Sequence, residues 1–274
     1  MAFLQLQDVR KSYETLKGRH LVLQGIDLAV DQGEFVAIVG YSGSGKTTLL
    51  SLIAGLITPD EGEILLDGGP IQGPGPDRGI VFQNYSLLPW LTVFENIYLA
   101  VEAVSSERST HEKRLRTEQW VRLVHLEEAM AKRPHQLSGG MRQRVAVARG
   151  LAVDPKLLLL DEPFSALDAL TRTILQDELA RIWMEQRKTV VMITNDVEEA
   201  IRLAERIYPL TPGPGATLGP EIRVPIPHPR SRRLLSLDPV YQRVRGELTE
   251  FLIKARNRRG TSGLASPTPP EVLR

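Results

Sequence analysis

Three short stretches hold residues whose types and spacing can do chemistry on a phosphate chain. "GYSGSGKTT", Gly40 to Thr48, fits the pattern G-x-x-x-x-G-K-[ST] and lies between the apolar run "EFVAIV" and a helix-like segment. Its glycines let successive backbone N–H groups curl round a polyphosphate, and the amino terminus of the following helix adds its positive dipole. Gly40, Ser42, Gly43, Ser44 and Gly45 form that cradle, and Thr48 completes the motif. Lys46 would reach the β- and γ-phosphates of ATP, and Thr47 would hold Mg2+. A glycine-rich turn with a chance lysine is the rival reading; the strand before it and the helix after it argue against that. The second stretch, "LLLLDE", ends a buried strand in two carboxylates. Asp161 fits the residue that holds Mg2+ through water, opposite Thr47, and Glu162 would polarise an attacking water. An acid pair after a strand can also cap the next helix, and the glycine-rich loop upstream favours catalysis. The third stretch, "LSGGMRQR", places Ser138 at a helix N-cap, with Gly139 and Gly140 exposing backbone N–H groups, which makes a second anion site. Two such sites in one chain make sense if two chains face each other, each lending "SGG" to the other's γ-phosphate. A fourth stretch, "VVMITNDVEEAI", delivers the amide of Asn195 to the carboxyl end of a strand.

The elements that must position these residues follow from periodicity. "FLQLQDV" and "LVLQGIDLAV" alternate and read as half-exposed antiparallel strands, whereas "EFVAIVG" is continuously apolar and reads as fully buried. A helix is expected from about Thr47 to Ala54, then short strands at "GEILLDG" and "GIVFQ". Thr92 to Met130 reads as mostly helical, and Ser138 to Leu151 as another helix. "KLLLLDEP", "KTVVMIT" and "RIYPL" are buried strands, with helices between them at Leu167 to Gln186 and Val197 to Ala204. Buried apolar strands alternating with helices predict an α/β fold with a mainly parallel core sheet and helices on both faces. After Pro209, "LTPGPGATLGPEIRVPIPHPRSRR" changes composition sharply, which predicts a loop-rich appendage. A short helix is expected from about Leu235 to Lys254, and a disordered tail at residues 259–274.

The totals exclude several classes. A formal net charge of +1 gives no global field that would draw nucleic acid. No cysteine is present, which removes disulfides, thiolate metal sites and thiol catalysis. The amino terminus, "MAFLQLQDVRKSYE", alternates and carries charge, so a signal peptide is not expected there. No apolar run approaches the ~20 residues that cross a bilayer, so a membrane would be met through a partner.

On the four motifs, the chain resembles the ATP-binding subunits of ABC transporters over roughly Phe3 to Leu210. The resemblance implies a P-loop NTPase cassette with an antiparallel N-terminal β-subdomain and an inserted helical subdomain at about residues 84–150. The ATP-binding domain would span residues 1–210, with a Pro/Gly-rich extension at 211–258. Tyr13, in "RKSYE", matches the aromatic that stacks on adenine, although an edge-strand tyrosine fits equally. Gln83, in "IVFQN", matches the glutamine that binds Mg2+ and the attacking water. "SALD", Ser165 to Asp168, matches a loop that crosses the dimer interface. Asn195 falls where the family usually has a histidine on the γ-phosphate, and this is the departure.

Finer features resemble one branch. "GIVFQNYSLLPWLTVFENI" is similar to importers of nitrate, sulfonate and taurine, and "TNDVEEAI" with the "RIYPLTPGPGATLGPEIRVPIPHPR" segment looks most like nitrate-import ATPases, with cyanate and bicarbonate relatives. The resemblance implies a peripheral subunit on the cytoplasmic face of the inner membrane, working with transmembrane permease subunits and a periplasmic solute-binding protein. A second ATP-binding subunit, a different and longer chain, would complete the assembly, this chain being the shorter one. A catalytically impaired binding partner, suggested by Asn195, and a cassette ATPase of DNA repair or translation are the competing readings. Leu88, Pro89 and Trp90 are expected to form an exposed apolar anchor for the permease, while most charges of residues 112–128 are read as a solvated face.

Overall fold

A computed structural model describes residues 2–16, 18–165 and 167–262. Strand β1 (Leu4–Thr15) pairs antiparallel with β2 (Gly18–Val30), and β3 (Phe35–Val39) begins the central sheet. Helix α1 (Lys46–Ile53) follows, then β4 (Glu61–Leu66) and β5 (Gly69–Pro70), which join β1 and β2 in a four-stranded antiparallel sheet. After β6 (Arg78–Val81) come helices α2 (Val93–Ala103), α3 (Thr110–Leu123) and α4 (Gly139–Ala152). The chain continues through β7 (Leu157–Asp161), α5 (Ala169–Gln186), β8 (Thr189–Thr194), α6 (Val197–Leu203) and β9 (Arg206–Pro209). It ends in β10 (Ile222–Arg223), α7 (Arg232–Leu235) and α8 (Pro239–Ser262).

The six-stranded sheet runs β10-β9-β3-β8-β7-β6, with every neighbouring pair parallel except β10 on β9. Strands β3, β7 and β8 are buried at every residue, as their continuous apolar runs require. Alternate side chains still go to opposite faces. Val36, Ile38, Leu157, Leu159, Val191 and Ile193 join α1 and the antiparallel sheet in one core. Phe35, Val39, Leu158, Leu160, Val190 and Met192 face the second core, which holds side chains of α4, α5, α6 and α8. A third cluster, with Val93, Ile97, Val121 and Val145, holds α2 and α3 against the outer face of α4. Helix α4 thus belongs to two cores: Val147 and Leu151 pack into the sheet side, Val145 and Ala148 into the helical cluster.

The segment after Pro209 carries little regular structure, yet it packs into the domain rather than standing apart as an appendage. Gly215 N and Ala216 N donate to Leu21 O and Val22 O at 2.8 and 2.9 Å, Gln24 N donates to Ala216 O at 2.9 Å, and β10 closes the edge of the central sheet. The buried Arg230 then donates to the carbonyls of Ile201 and Ala204, both at 2.6 Å, and so satisfies the open end of α6. The final helix is 24 residues long rather than short. Tyr241, Val244, Leu248 and Leu252 recur at helical spacing and are all buried, which anchors it to the core. It therefore includes residues 259–262, read from composition as disordered, and the rest of that tail, 263–274, lies outside the described residues. Proline and glycine mark turns, but they do not prevent the apolar residues between them from joining a core.

Candidate functional site

The cradle stands where a buried strand meets a helix. Gly40 follows β3 and its N–H donates to Thr194 O at 3.3 Å, so the loop hangs between the ends of β3 and β8. Gly43 and Gly45 take φ of 76° and 97°, left-handed values that suit glycine. At Gly45 the space is closed as well, because a Cβ there would lie 2.9 Å from Val22 Cγ1. Ser42 and Gly43 are exposed at the mouth of the loop, Ser44 is buried behind it, and Thr48 is half-buried on α1.

Lys46 is buried, and its ammonium group lies 3.0 Å from both Gly40 O and Tyr41 O and 3.1 Å from Glu162 Oε1. Thr47 Oγ1 donates to Asp161 Oδ1 at 3.4 Å, so hydroxyl and carboxylate converge on one spot. Burial, followed by the neighbouring negative charge of Glu162, raises the Asp161 carboxyl above its ordinary pKa. Glu162 has φ of 43°, a left-handed turn unusual for a residue with a side chain. That turn ends β7 and swings the Glu162 carboxylate to where Lys46 and Asn195 can both reach it. Asn195 Nδ2 lies 3.5 Å from Glu162 Oε2, and Gln83 Nε2 donates to Ser165 Oγ at 3.4 Å. Ser165 Oγ in turn donates to Glu162 O at 3.0 Å.

A cleft of about 500 Å3 has walls that include Ser42, Gly43, Gly45, Lys46, Thr47, Thr48, Gln83 and Glu162; Asp161 and Asn195 are not on its wall and meet it through Thr47 and Glu162. The same cleft is lined by His20, Val22, Gly213 and Pro214, which sequence reasoning did not single out. The pairing of residues 215–216 with β2 is what brings Gly213 and Pro214 there, and nothing local in their sequence signals it. Tyr13 is not part of this wall; it pairs with His20 across the β1–β2 hairpin and is 41% exposed. Ser138, Gly139 and Gly140 also lie apart from the cleft. Ser138 Oγ accepts from Met141 N at 3.3 Å as the N-cap of α4, and Gly140 is buried against Thr171 of α5. Asp168 caps α5 by accepting from Leu170 N and Thr171 N at 3.1 and 3.0 Å. The cap of α6 is Asp196, accepting from Glu198 N and Glu199 N at 2.9 and 3.2 Å, so Asn195 does not cap that helix and its amide is exposed toward Glu162.

A parallel sheet, a glycine loop on a helix amino terminus and a strand-end carboxylate pair, Glu162 on the cleft wall and Asp161 behind Thr47, define a P-loop nucleotide-binding cassette. The ABC transporter family profile matches residues 23–165, and the chain belongs to that family as an ATP-binding cassette. Among its relatives, the nitrate import ATP-binding protein NrtD of Synechococcus elongatus is 49% identical over 252 residues, covering 92% of each chain. The bicarbonate transport ATP-binding protein CmpD of a Synechocystis strain is 47% identical over 92% of this chain and 89% of its own. The bicarbonate transport ATP-binding protein CmpC of Synechococcus elongatus is 52% identical over 91% of this chain but only 38% of its own length. Among solved structures, a dimeric ATP-binding cassette in a post-hydrolysis state bound to ADP and Pi superposes with a TM-score of 0.72 and 35% identity, covering 81% of this chain and 98% of that one.

Proposed function

We propose that this chain is the ATP-hydrolysing subunit of an importer for a small oxyanion, nitrate or nitrite in the first instance. The observation that carries the hydrolytic part is the convergence of Lys46 and Asn195 on Glu162, a cleft-wall residue 3.1 Å from the lysine and 3.5 Å from the Asn195 amide. In this reading Lys46 and the loop N–H groups hold the β- and γ-phosphates, Glu162 accepts the hydrogen bond of the attacking water, and the Asn195 amide donates to the γ-phosphate. Gln83 carries the state of that site toward the helical subdomain through Ser165.

Mg2+ fits the residues present. Thr47 and Asp161 offer a hydroxyl and a carboxylate 3.4 Å apart, and Gln83 adds an amide oxygen on the cleft wall, all hard oxygen donors. Among the described residues no group of three or more His, Cys, Asp or Glu side chains is placed to hold a metal, so the remaining ligands would be phosphate and water. The ion supplies charge neutralisation at the phosphates when bound. Tyr13, beside the cleft on β1, is proposed as the adenine platform.

The second anion site is supplied by another chain in this reading, because Ser138, Gly139 and Gly140 stand away from their own cleft. The dimeric cassette superposed above supports such an arrangement. The proposed second chain is longer, in line with relatives such as CmpC, of which the matching part is 38%. Permease subunits, with a periplasmic solute-binding protein, would complete the complex on the cytoplasmic face of the inner membrane. No helix among the described residues is long and apolar enough to cross a membrane, so attachment would be peripheral.

Bicarbonate is the second reading, favoured by relatives of that name at 47% and 52% identity. Cyanate and sulfonate follow. The test is ATP turnover of the reconstituted complex with each anion and its binding protein. Stimulation by nitrate alone supports the first reading, and stimulation by bicarbonate alone replaces it. Turnover that Glu162→Gln leaves intact would remove the hydrolytic assignment.

A further inference from the structure

Asn195 is exposed, and its position is set by what holds the residues on either side of it. Thr194 is buried; its carbonyl accepts from Gly40 N, and its hydroxyl accepts from Asp196 N at 3.1 Å. One hydroxyl therefore fixes the backbone on the far side of Asn195. That hydroxyl donates in turn to Glu199 Oε2, in the first turn of α6. Glu199 is 5% exposed, and its other oxygen accepts from Gln176 Nε2 of α5 at 3.1 Å. Gln176 is held from its own carbonyl side by Arg202 Nη1 at 2.8 Å, and Arg202 Nη2 pairs with Asp177 at 2.6 Å. Among the described residues, no buried side-chain N or O atom of Thr194, Glu199, Gln176 or Arg202 is left without a partner, so the network fixes a geometry.

We propose that Glu199 is a positioning residue for hydrolysis: as a carboxylate it orients the Thr194 hydroxyl and so holds the Asn195 amide in line with Glu162. The inference rests on the reading of Glu162 and Asn195 as the hydrolytic pair. It extends that pair by a buried acid that stands outside the wall of the nucleotide cleft.

The chemistry of the contact makes the charge state matter. An ionised carboxylate only accepts, so the Thr194 hydrogen points to Glu199 and its lone pairs stay free for Asp196 N–H. With Oε1 already accepting from Gln176, an added proton sits on Oε2. The Thr194 oxygen must then accept from Glu199 as well, and its own hydrogen loses its buried acceptor. The hydroxyl that anchors the backbone beside Asn195 is then left with an unpaired buried donor, and the position of Asn195 is held less firmly.

The group is placed to titrate. Burial raises the Glu199 carboxyl to about 7, against the hydrogen bonds from Thr194 and Gln176, with Asp196 adding to the rise and Arg172 opposing it. Asp196 and Arg172 are 3.7 Å apart, and Glu198 turns outward to Arg245 of α8 at 3.4 Å. On α5 Asp177 is taken by Arg202, and Tyr241 is what α8 presents on this side. A cavity of about 90 Å3 between α5, α6 and α8, bordered by Glu199, Arg202 and Tyr241, gives protons a path to it.

The test is the turnover of the full chain in its assembled transporter, measured between about pH 6 and pH 9 in wild type, E162Q, E199Q, T194S and T194V. Wild-type kcat is expected to rise through about pH 7. In E199Q, an amide that donates where the carboxylate accepts, kcat should stay at the low-pH plateau, roughly tenfold down, with KM for ATP changed less than about twofold. T194S keeps the hydroxyl and should restore the pH-dependent rise, whereas T194V should match E199Q. An E199Q profile that superposes on wild type, or T194V that keeps the rise, overturns the inference. A merely structural role would shift the melting temperature without removing the pH step. If E162Q itself turns over normally, the underlying site reading has failed instead.

Discussion

Lys46 Nζ and Glu162 Oε1 stand 3.1 Å apart, so the cation of the glycine loop and the carboxylate at the end of β7 form one ion pair. The lysine divides its three donors between that carboxylate and the carbonyls of Gly40 and Tyr41. A γ-phosphate that takes Lys46 competes directly with Glu162 for the same charge. In the proposed mechanism, phosphate binding would free the carboxylate to turn to a water near Asn195 and so couple nucleotide binding to readiness of the proposed base.

Glu162→Gln removes that competition. It is expected to bind ATP at least as tightly as wild type while hydrolysis falls on the order of 10²-fold or more, as when one transition-state contact is lost. Two cassettes should then stay face to face with ATP and Mg2+, each closing the other's site with Ser138, Gly139 and Gly140. Sedimentation with the native partner chain checks this: a stable dimer with ATP is expected, and monomers under all conditions would count against the shared site.

Lys46→Ala has the opposite sign. The triphosphate loses a charge-assisted partner, and calorimetric ATP affinity should fall by about 10²-fold or more. Glu162 and Asp161 would also remain as neighbouring carboxylates without their cation, so melting should shift downward. Unchanged affinity would remove Lys46 from the phosphate site.

Asn195 keeps a donor where a histidine would add a titratable ring. Asn195→Ala is expected to cut turnover by about 10²-fold with ATP affinity little changed, and Asn195→His should retain activity. Because Asp196 carries the cap of α6, the alanine variant should melt at the wild-type temperature. A large drop in melting temperature with normal turnover would make Asn195 structural after all.

How much of this was legible follows from where each signal lies. The strand–loop–helix of Gly40 to Thr48 and the buried runs β3, β7 and β8 carry their own periodicity, so they stand out in the sequence. Asp161 and Glu162 follow from their position at a strand end, but the left-handed turn at Glu162, φ of 43°, does not, since a non-glycine residue there breaks local preference. Gly213 and Pro214 enter the cleft through long-range pairing of residues 215–216 with β2. The capping boxes of α2 (Thr92 with Glu95) and α3 (Ser109 with Glu112) were available as S/T-x-x-E patterns and would have divided the predicted helical stretch. Glu199 reads in sequence as one more acid on an amphipathic helix, and only the packing of α5 on α6 buries it.

Trp90 is 64% exposed on the loop before α2, beside the exposed Pro89 and the half-buried Leu88. An indole left in water on a soluble face is suited to a pocket on a partner. Trp90→Ala should reduce transport and co-purification of the permease, with ATP affinity of the cassette unchanged. Loss of nucleotide binding in that variant would show the loop to support the cleft rather than a partner.

Glu199 also sets a pH dependence of stability. Its carboxyl is raised from 4.5 to about 7 in the fold, so between these values the folded chain holds a proton that the unfolded chain has lost. Stability therefore falls as pH rises through this window, by about 3 kcal/mol at its full extent. Above it the fold carries a buried carboxylate that the proposed hydrolytic geometry needs, so activity and stability move in opposite directions. Glu199→Gln is neutral at every pH and keeps an oxygen to accept from Gln176. Its melting temperature should match wild type near pH 4.5 and exceed it at pH 8, at roughly 2–4 °C per kcal/mol for a chain of this size. Paired thermal melts across that range check it; a difference between the two proteins that does not grow with pH would mean Glu199 is not the group that titrates.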